Sequence, residues 1–179
     1  QFRENAYITN GENMVKGDSL FYNRNLGYGK AINNISLIDT INNIIVNGDL
    51  SEYFENEDKI EVTKNALLNI IFDEDTLFMT ANRFINYSSE EDYLLAYDNI
   101  KIFKKDFQGK CDSLSYNFTD SIVEMFISPI LWSDEFQITA DSLQFLINKG
   151  KISHMFLRPN PMIISQEDSL DYNQIKGKN

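Results

Sequence analysis

The chain has 179 residues, enough for one sizeable hydrophobic core or one elongated array. Its 16 Lys and Arg residues stand against 27 Asp and Glu, a formal net charge of −11. That charge argues against a nucleic-acid partner, which needs a basic face, and against docking on anionic lipid headgroups. A single cysteine, Cys111, excludes an internal disulfide framework and a Cys-rich metal site.

In chain order, the sequence predicts short β-strands throughout. Apolar runs rich in branched and aromatic residues alternate with Asn, Asp and Gly, and a helical period of 3.6 residues is weak everywhere. The clearest strand segments are 15–22, 35–37, 44–46, 67–72, 100–102, 122–127, 136–145 and 155–157.

Glycine and asparagine predict the turns, because both residues accept a positive φ at low cost. Tight turns are expected at Gly27-Tyr28-Gly29, Asn42-Asn43, Asn47-Gly48 and Asn148-Lys149-Gly150. The segment 89–97 is expected to be an acidic loop or an irregular connection.

A repeated motif runs along this strand pattern. Asp-Ser-Leu occurs at Asp18, Asp112, Asp141 and Asp168, and each time an aromatic residue follows two positions after the Leu. Looser copies begin at Asp49 and Asn82, so the Asp-type position recurs at 18, 49, 82, 112, 141 and 168, in steps of 31, 33, 30, 29 and 27 residues. A drifting period of this size indicates one supersecondary unit that is stacked repeatedly.

The small residue before the Asp marks a change of strand parity. Ile138 and Ala140 share one parity, whereas Leu143 and Phe145 have the other. A bend or bulge in a strand produces such a switch. A sheet that bends at the same place in every repeat folds over on itself, so the expected fold class is all-β, a folded-over antiparallel sheet or jelly roll of stacked hairpins.

Gly17-Asp18-Ser19-Leu20 also spells the signature of the GDSL lipases and esterases, in which the Ser is the nucleophile. That chemistry needs a histidine base oriented by a carboxylate. The single histidine, His154, has Lys151 three positions before it where that family has Asp. The tripeptide also recurs, whereas a catalytic Ser needs one special environment, so no catalytic residue is assigned.

Other polar clusters give no stronger signal. The acidic run Asp73-Glu74-Asp75 lacks the spacing of a known cation-binding loop and is interpreted as a turn between strands. No metal site and no cofactor are expected.

The phased motif resembles the OstA/LptA family of lipopolysaccharide-transport proteins, in the OstA-like form of Bacteroidetes. The clearest matches are Val15-Lys16-Gly17-Asp18-Ser19-Leu20-Phe21-Tyr22 and Ile138-Thr139-Ala140-Asp141-Ser142-Leu143-Gln144-Phe145. The resemblance covers nearly the whole chain and is weakest over 86–105.

The resemblance implies a β-jelly roll whose apolar interior shelters the acyl chains of lipid A, without catalysis or cofactor. It implies a periplasmic location, with lipopolysaccharide as cargo. Other domains of the family, or further copies of this chain, would pair with its edge strands as partners. Residues 1–179 are then expected to form a single elongated OstA-like repeat domain that continues beyond its C-terminal end in a longer chain.

Equivalent repeat positions define the expected inner wall of the groove. They are Leu20, Tyr22, Phe84, Leu114, Tyr116, Leu143, Phe145, Leu170 and Tyr172. A second set is expected to join them: Ile35, Leu37, Ile45, Leu68, Ile70, Ile122, Phe126, Ile138 and Met155.

Two alternatives stay open on the sequence. The same hairpin stack could have a fully packed interior and act as a structural or assembly module through its edges. A serine esterase is the weaker alternative, for the reasons given above.

Overall fold

The computed structural model describes residues 2–10, 13–72, 74–88, 92–133, 135–148, 151–166 and 171–177. Nearly all of them lie in one large antiparallel sheet that does not close into a barrel. Its strands are β1 (Phe2–Asn10), β2 (Asn13–Asn23), β3 (Tyr28–Asp39), β4 (Ile44–Phe54), β5 (Lys59–Ile71), β6 (Thr76–Ser88), β7 (Asp92–Lys104), β8 (Phe107–Asn117), β9 (Ile122–Phe126), β10 (Ile130–Trp132), β11 (Phe136–Thr139), β12 (Ser142–Asn148), β13 (Lys151–Arg158), β14 (Met162–Gln166) and β15 (Tyr172–Lys176).

Consecutive strands pair from β1 to β8, so this part of the chain is a continuous antiparallel meander. A 3₁₀ turn, Glu55–Glu57, joins β4 to β5. Among the described residues, no helix has the length and apolar character needed to cross a membrane. The all-β, folded-over architecture predicted from the sequence is confirmed.

Every long strand bends near its middle. The pairing register shifts at this point in each ladder from β1–β2 to β7–β8. The line of bends forms a crease that divides each strand into two halves. The sheet therefore folds into two layers, and a strand that starts in one layer ends in the other.

The even-numbered strands cross the crease at the small-Asp motif. In β2, Gly17 and Leu20 are both buried although three positions separate them, which is the predicted switch of parity. At Gly48 the space beside the backbone is filled, because a Cβ there would lie 2.7 Å from Val62 Cγ1. Gly17, Gly48, Ala81, Cys111 and Ala140 are buried at the same point of successive repeats.

Strands β3, β5 and β7 cross the crease differently, with two consecutive residues in the left-handed region. Asn33 and Asn34 have φ of 57° and 50°, and the pairs Lys64–Asn65 and Asp98–Asn99 repeat this geometry in β5 and β7. Asn and Asp tolerate this region better than most other side chains. The left-handed pair supplies the bulge that bends the strand.

Past β8 the sheet forks into two leaves. β9 and then β12 and β13 extend the layer that holds the second half of β8, whereas β10, β11, β14 and β15 extend the layer that holds its first half. Side chains from both leaves, such as Met125 and Leu131, belong to one hydrophobic core that runs between the layers. The structure is thus a two-layered trough with its crease along one side.

Three predictions from the sequence are wrong in detail. Asn47-Gly48 is not a turn but lies within β4, where Gly48 provides the close approach at the crease. Residues 92–97 are not a loop but the first half of β7, which pairs with β6 and β8. Ile45, Ile122 and Phe126 alternate with residues that face the interior, so they lie on the outer face.

Candidate functional site

The side of the trough opposite the crease is bordered by two rows of hairpin turns. The first lip is formed by residues 40–43, 72, 74–75 and 105–106. The second lip is formed by the turns at 24–27, 55–58 and 118–121, together with the strand ends Ser88, Asp92 and Lys151 beside them. Backbone hydrogen bonds connect neighbouring members of one row: Ile71 N donates to Asn43 O (2.9 Å) in the first lip, and Ser88 N to Asp58 O (3.0 Å) in the second. Residues of both rows line the same cavities, so the trough opens between the lips.

The first cavity, which we call the central cavity, has a volume of about 790 Å³. Its apolar wall combines the two layers, since Leu77 and Leu131 come from one and Tyr116 and Val123 from the other. Glu74, Asp75, Lys104, Lys105, Asp106 and Lys151 stand at its mouth.

The second cavity, which we call the N-terminal cavity, has a volume of about 690 Å³. Val15, Leu37 and Val46 come from one layer, and Ala31 and Ile60 from the other. Asp39, Ile41, Asn42, Asp58, Ser88 and Asp92 stand at its mouth.

The two cavities meet at Leu94 of β7, which lines both and is 3 % exposed. Tyr116 of the central cavity and Phe118 of the N-terminal cavity lie in contact beside this boundary, with ring centroids 4.2 Å apart. The apolar interior is therefore two adjoining chambers along the axis of the trough.

Charges at the central mouth are partly paired. Lys104 Nζ lies 2.7 Å from Asp106 Oδ1 and 3.2 Å from Asp75 Oδ2. Burial lowers the pKa of Lys104, but the bonds to Asp106 and Asp75 outweigh burial and raise it overall. Burial raises the pKa of Asp75, whereas its bonds from Thr76 N, Lys104 and Lys105 N lower it overall. These contacts fix the first lip at this point.

The mouth of the N-terminal cavity is acidic. Burial raises the pKa of Asp92, the negative charge of Asp39 on the other lip raises it further, and a hydrogen bond from Asn86 Nδ2 (2.9 Å) lowers it in part. Among the described residues, Asp39, Asp58 and Asp92 form no ion pair. Lys30, which also lines this cavity, lies 3.9 Å from Glu52 Oε1.

The structure places eight of the nine expected wall residues, in four different settings. Leu114, Tyr116 and Phe145 line the central cavity, and Leu20 and Tyr22 line the N-terminal cavity. Phe84 and Leu143 lie deeper, packed in the core between the layers. Tyr172 is 60 % exposed on β15, and Leu170 lies outside the described residues.

Tyr22 has a polar contact as well as an apolar one. Its hydroxyl donates to Glu55 Oε2 at 2.6 Å, on the second lip. That hydrogen bond raises the pKa of Tyr22, to which burial and the charge of Glu55 also contribute. Tyr22 thus lines the N-terminal cavity and anchors the neighbouring turn with its hydroxyl.

In the second set, Leu37 lines the N-terminal cavity and Ile70 the central one, whereas Ile35, Leu68 and Ile138 are buried in the core. Met155 lies in a third, smaller space of about 350 Å³ between β13, β14 and β15.

Several cavity residues were not predicted. Val123 and Met125 line the central cavity in place of Ile122 and Phe126, which are one position out of phase. Leu94 was missed because residues 89–97 were interpreted as a loop. Leu94 and Ala96 lie two positions apart, as the residues of one strand face do, but the apolar Leu95 between them hides the alternation.

The geometry does not unite the parts of a serine esterase. Ser19 lies on β2 and His154 on β13, and nine strand-to-strand steps separate them along β2, β3, β4, β5, β6, β7, β8, β9, β12 and β13. At about 4.8 Å a step this is roughly 40 Å along the sheet. His154 Nδ1 instead lies 3.3 Å from Ser153 Oγ.

The described residues contain no group of three or more His, Cys, Asp or Glu side chains arranged to hold a metal ion. Within them, Asp75 contacts Lys104 Nζ and accepts a hydrogen bond from Lys105 N, and it joins no cluster of carboxylates. Asp73 lies outside the described residues.

No protein-family model matches the sequence, and no curated protein matches it. Among solved structures, the chain is similar to LptH of Pseudomonas aeruginosa, which is described as the LptA-homologous periplasmic component of the conserved lipopolysaccharide transport device. The TM-score is 0.56 at 12 % identity, over 88 % of this chain and 98 % of that one. The chain has the LptA-like fold. An identity this low shows the fold and not the function, so the arguments for function must come from the site.

Proposed function

We propose that the chain is a non-catalytic, periplasmic module of lipopolysaccharide transport that shelters lipid A acyl chains in its groove. The observation that carries the proposal is the pair of apolar cavities inside an LptA-like fold, open between two lips rather than packed shut. The similar structure, LptH, belongs to such a transport device.

The energetics favour a ligand with long hydrocarbon chains. Transfer of a methylene group from water to an apolar site contributes about 0.8 kcal/mol. Both cavities fall within the range of about 300–1,000 Å³ typical of ligand sites in proteins. An amphiphile with several chains could use both chambers, because they adjoin at Leu94.

In this proposal, Leu114, Tyr116 and Phe145 contact acyl chains in the central cavity, and Leu20 and Tyr22 do so in the N-terminal cavity. Phe84 and Leu143 support the wall from behind. Leu170 and Tyr172 remain proposed acyl-chain contacts.

The proposed partners pair with the ends of the sheet. Within the described residues, β1 pairs on one side alone, with β2, and the two leaves end at β13 and β15. Edge strands with free backbone groups accept a further strand by β-augmentation. Another domain of the same fold, or a second copy of this chain, would extend the groove across the periplasm.

Two substitutions in the central cavity test lipid binding. Val123 and Ile147 are partly buried and line the void, so Val123→Trp or Ile147→Trp fills volume without adding charge. Ile122→Trp is the matched control, since Ile122 faces outward on the same strand as Val123. Leu143, 0 % exposed, is avoided because its replacement by Asp would unfold the protein.

The expected result is that the wild type and Ile122→Trp bind fluorescent lipopolysaccharide, that both cavity variants bind at least tenfold more weakly, and that mass spectrometry finds lipid on purified wild type. If all four proteins bound equally, each with native thermal unfolding, the proposal that lipid binds in the groove would be overturned. Absence of lipid from the wild type, with concentration-dependent oligomers, would support the assembly module instead.

A further inference from the structure

The lips of the two cavities differ in charge, which bears on where the headgroup of a bound amphiphile lies. At the central mouth, Lys105 and Lys151 are exposed and line the cavity from opposite lips. Neither forms an ion pair with another described residue, whereas Lys104 beside them is held by Asp75 and Asp106. Two uncommitted cations therefore face one opening.

The charges at this mouth balance in number but not in how they are paired. Lys104 carries one positive charge against the two negative charges of Asp75 and Asp106. Glu74 adds a further exposed carboxylate on the first lip. Among the described lining residues, three cations and three anions thus cancel in number, but Asp75 and Asp106 are directed at Lys104, while Lys105 and Lys151 form no ion pair and are available for a ligand.

The N-terminal mouth offers the opposite environment. Asp39, Asp58 and Asp92 line it, and Lys30, the one cation among its described lining residues, lies near Glu52. Asp39 and Asp92 already repel each other across this opening. A further anion placed there would meet like charge from both lips.

We propose that the central mouth is the headgroup site of the bound amphiphile, in which Lys105 and Lys151 hold an anionic group such as a phosphomonoester. The acyl chains then enter the central cavity directly and the N-terminal cavity past Leu94. This inference rests on the proposed lipid binding, and it adds the chemical class and the orientation of the ligand. It also explains how a chain of net charge −11 accepts an anionic amphiphile, because the local charge at one mouth differs from the total.

The test is the double variant Lys105→Glu/Lys151→Glu, with Lys16→Glu/Lys101→Glu as its matched control. Lys16 and Lys101 are exposed strand residues that line neither cavity, and the two variants have the same net charge. Lys104 is left intact because its ion pairs fix the lip. The probes are diphosphoryl lipid A, monophosphoryl lipid A, a fatty acid and its uncharged methyl ester.

We expect the lip variant to bind diphosphoryl lipid A at least threefold more weakly than the control variant, as charge-assisted contacts at an exposed site are lost. The methyl ester should bind both variants equally. If the lip variant loses more affinity for diphosphoryl than for monophosphoryl lipid A, each relative to the control variant, the group that is held is a phosphate. An effect confined to the fatty acid assigns the site to a carboxylate instead.

Equal affinity of the two variants for every anionic probe would overturn the headgroup site while leaving the groove in place. Failure of the wild type to bind any probe, the methyl ester included, would instead overturn the proposed function. Raised salt should reduce the difference between the variants, since exposed charges are screened; a difference that is unchanged by salt would contradict an electrostatic site.

Discussion

The side-chain amide of Asn65 donates a hydrogen bond of 2.6 Å to the carboxylate of Asp49 across the crease. Asn34 donates to Asp18 at 2.8 Å in the preceding repeat, again at a sequence separation of 16. Asn160 donates to Asp141 at 2.9 Å, and Asn99 N to Asp112 Oδ1 at 3.1 Å. The recurring Asp is thus a structural acceptor that fastens the bend of the neighbouring strand.

Two substitutions of Asn65 separate its hydrogen bond to Asp49 from its left-handed backbone conformation. Asn65→Gly loses the hydrogen bond but accepts the φ of 56°, so we expect a loss of about 1 kcal/mol in the free energy of unfolding. Asn65→Ala loses the bond and places a Cβ in the left-handed region, which adds about 1 kcal/mol or more. Urea denaturation measures both.

The control is a double-mutant cycle with Asp49→Ala. If the hydrogen bond to Asp49 stabilises the crease, Asn65→Gly should be less costly in the Asp49→Ala background than in the wild type. An unchanged cost would mean that the bond contributes nothing to stability.

The small residue of the motif gives a second prediction. A Cβ on Gly48 would lie 2.7 Å from Val62 Cγ1 and 3.2 Å from Thr63 O, so Gly48→Ala should destabilise by about 1–3 kcal/mol. The matched control is Gly17→Ala, where the nearest atom, Leu20 Cδ2, is 3.5 Å away, and we expect a change of less than about 1 kcal/mol. Thermal unfolding compares them, and equal losses would contradict a steric role for Gly48.

These contacts show why the sequence predicted the repeat but not its mechanism. The parity switch at Gly17-Asp18 is a local pattern, and it predicted a bend correctly. The partner of each Asp lies on another strand, and the Asn residues at 34 and 65 follow no recurring tripeptide that would mark them. Pairing between strands depends on register, which the local pattern does not contain.

The site was less predictable than the fold for a related reason. A one-residue error in phase exchanges the two faces of a strand, as it did for Phe126 and Met125. Burial also does not separate a packed core from a cavity wall: Leu143 and Phe145 occupy the same face of β12, yet Phe145 lines the central cavity and Leu143 does not.

The raised pKa of Asp92 predicts a pH dependence of stability. Between the ordinary pKa of the unfolded aspartate, 3.8, and the raised native value, the folded state binds more protons than the unfolded state. The contribution of Asp92 to stability therefore falls as pH rises through this window. We expect Asp92→Asn to gain stability relative to wild type at pH 7 and to lose that advantage at low pH.

Asp39→Asn provides the second arm of this experiment. Because the charge of Asp39 contributes to the raised pKa of Asp92, its removal should reduce the gain that Asp92→Asn gives at pH 7. Urea denaturation from pH 4 to pH 7 measures both variants. A difference between Asp92→Asn and wild type that does not vary with pH would show that Asp92 titrates as an ordinary carboxyl group.

Cys111 is buried at the crease, and burial raises the pKa of its thiol to about 12. The thiolate is the reactive form of cysteine, so at pH 8 the folded protein should react with a thiol reagent far more slowly than the urea-unfolded chain. The native rate should follow the population of opened molecules, rising with urea as stability falls. Gly48→Ala tests this link, because a destabilised crease should expose Cys111 more often and accelerate labelling relative to Gly17→Ala. Rapid labelling of the native protein, at the rate of a free thiol and without dependence on urea, would contradict the packed crease on which the two-layered trough depends.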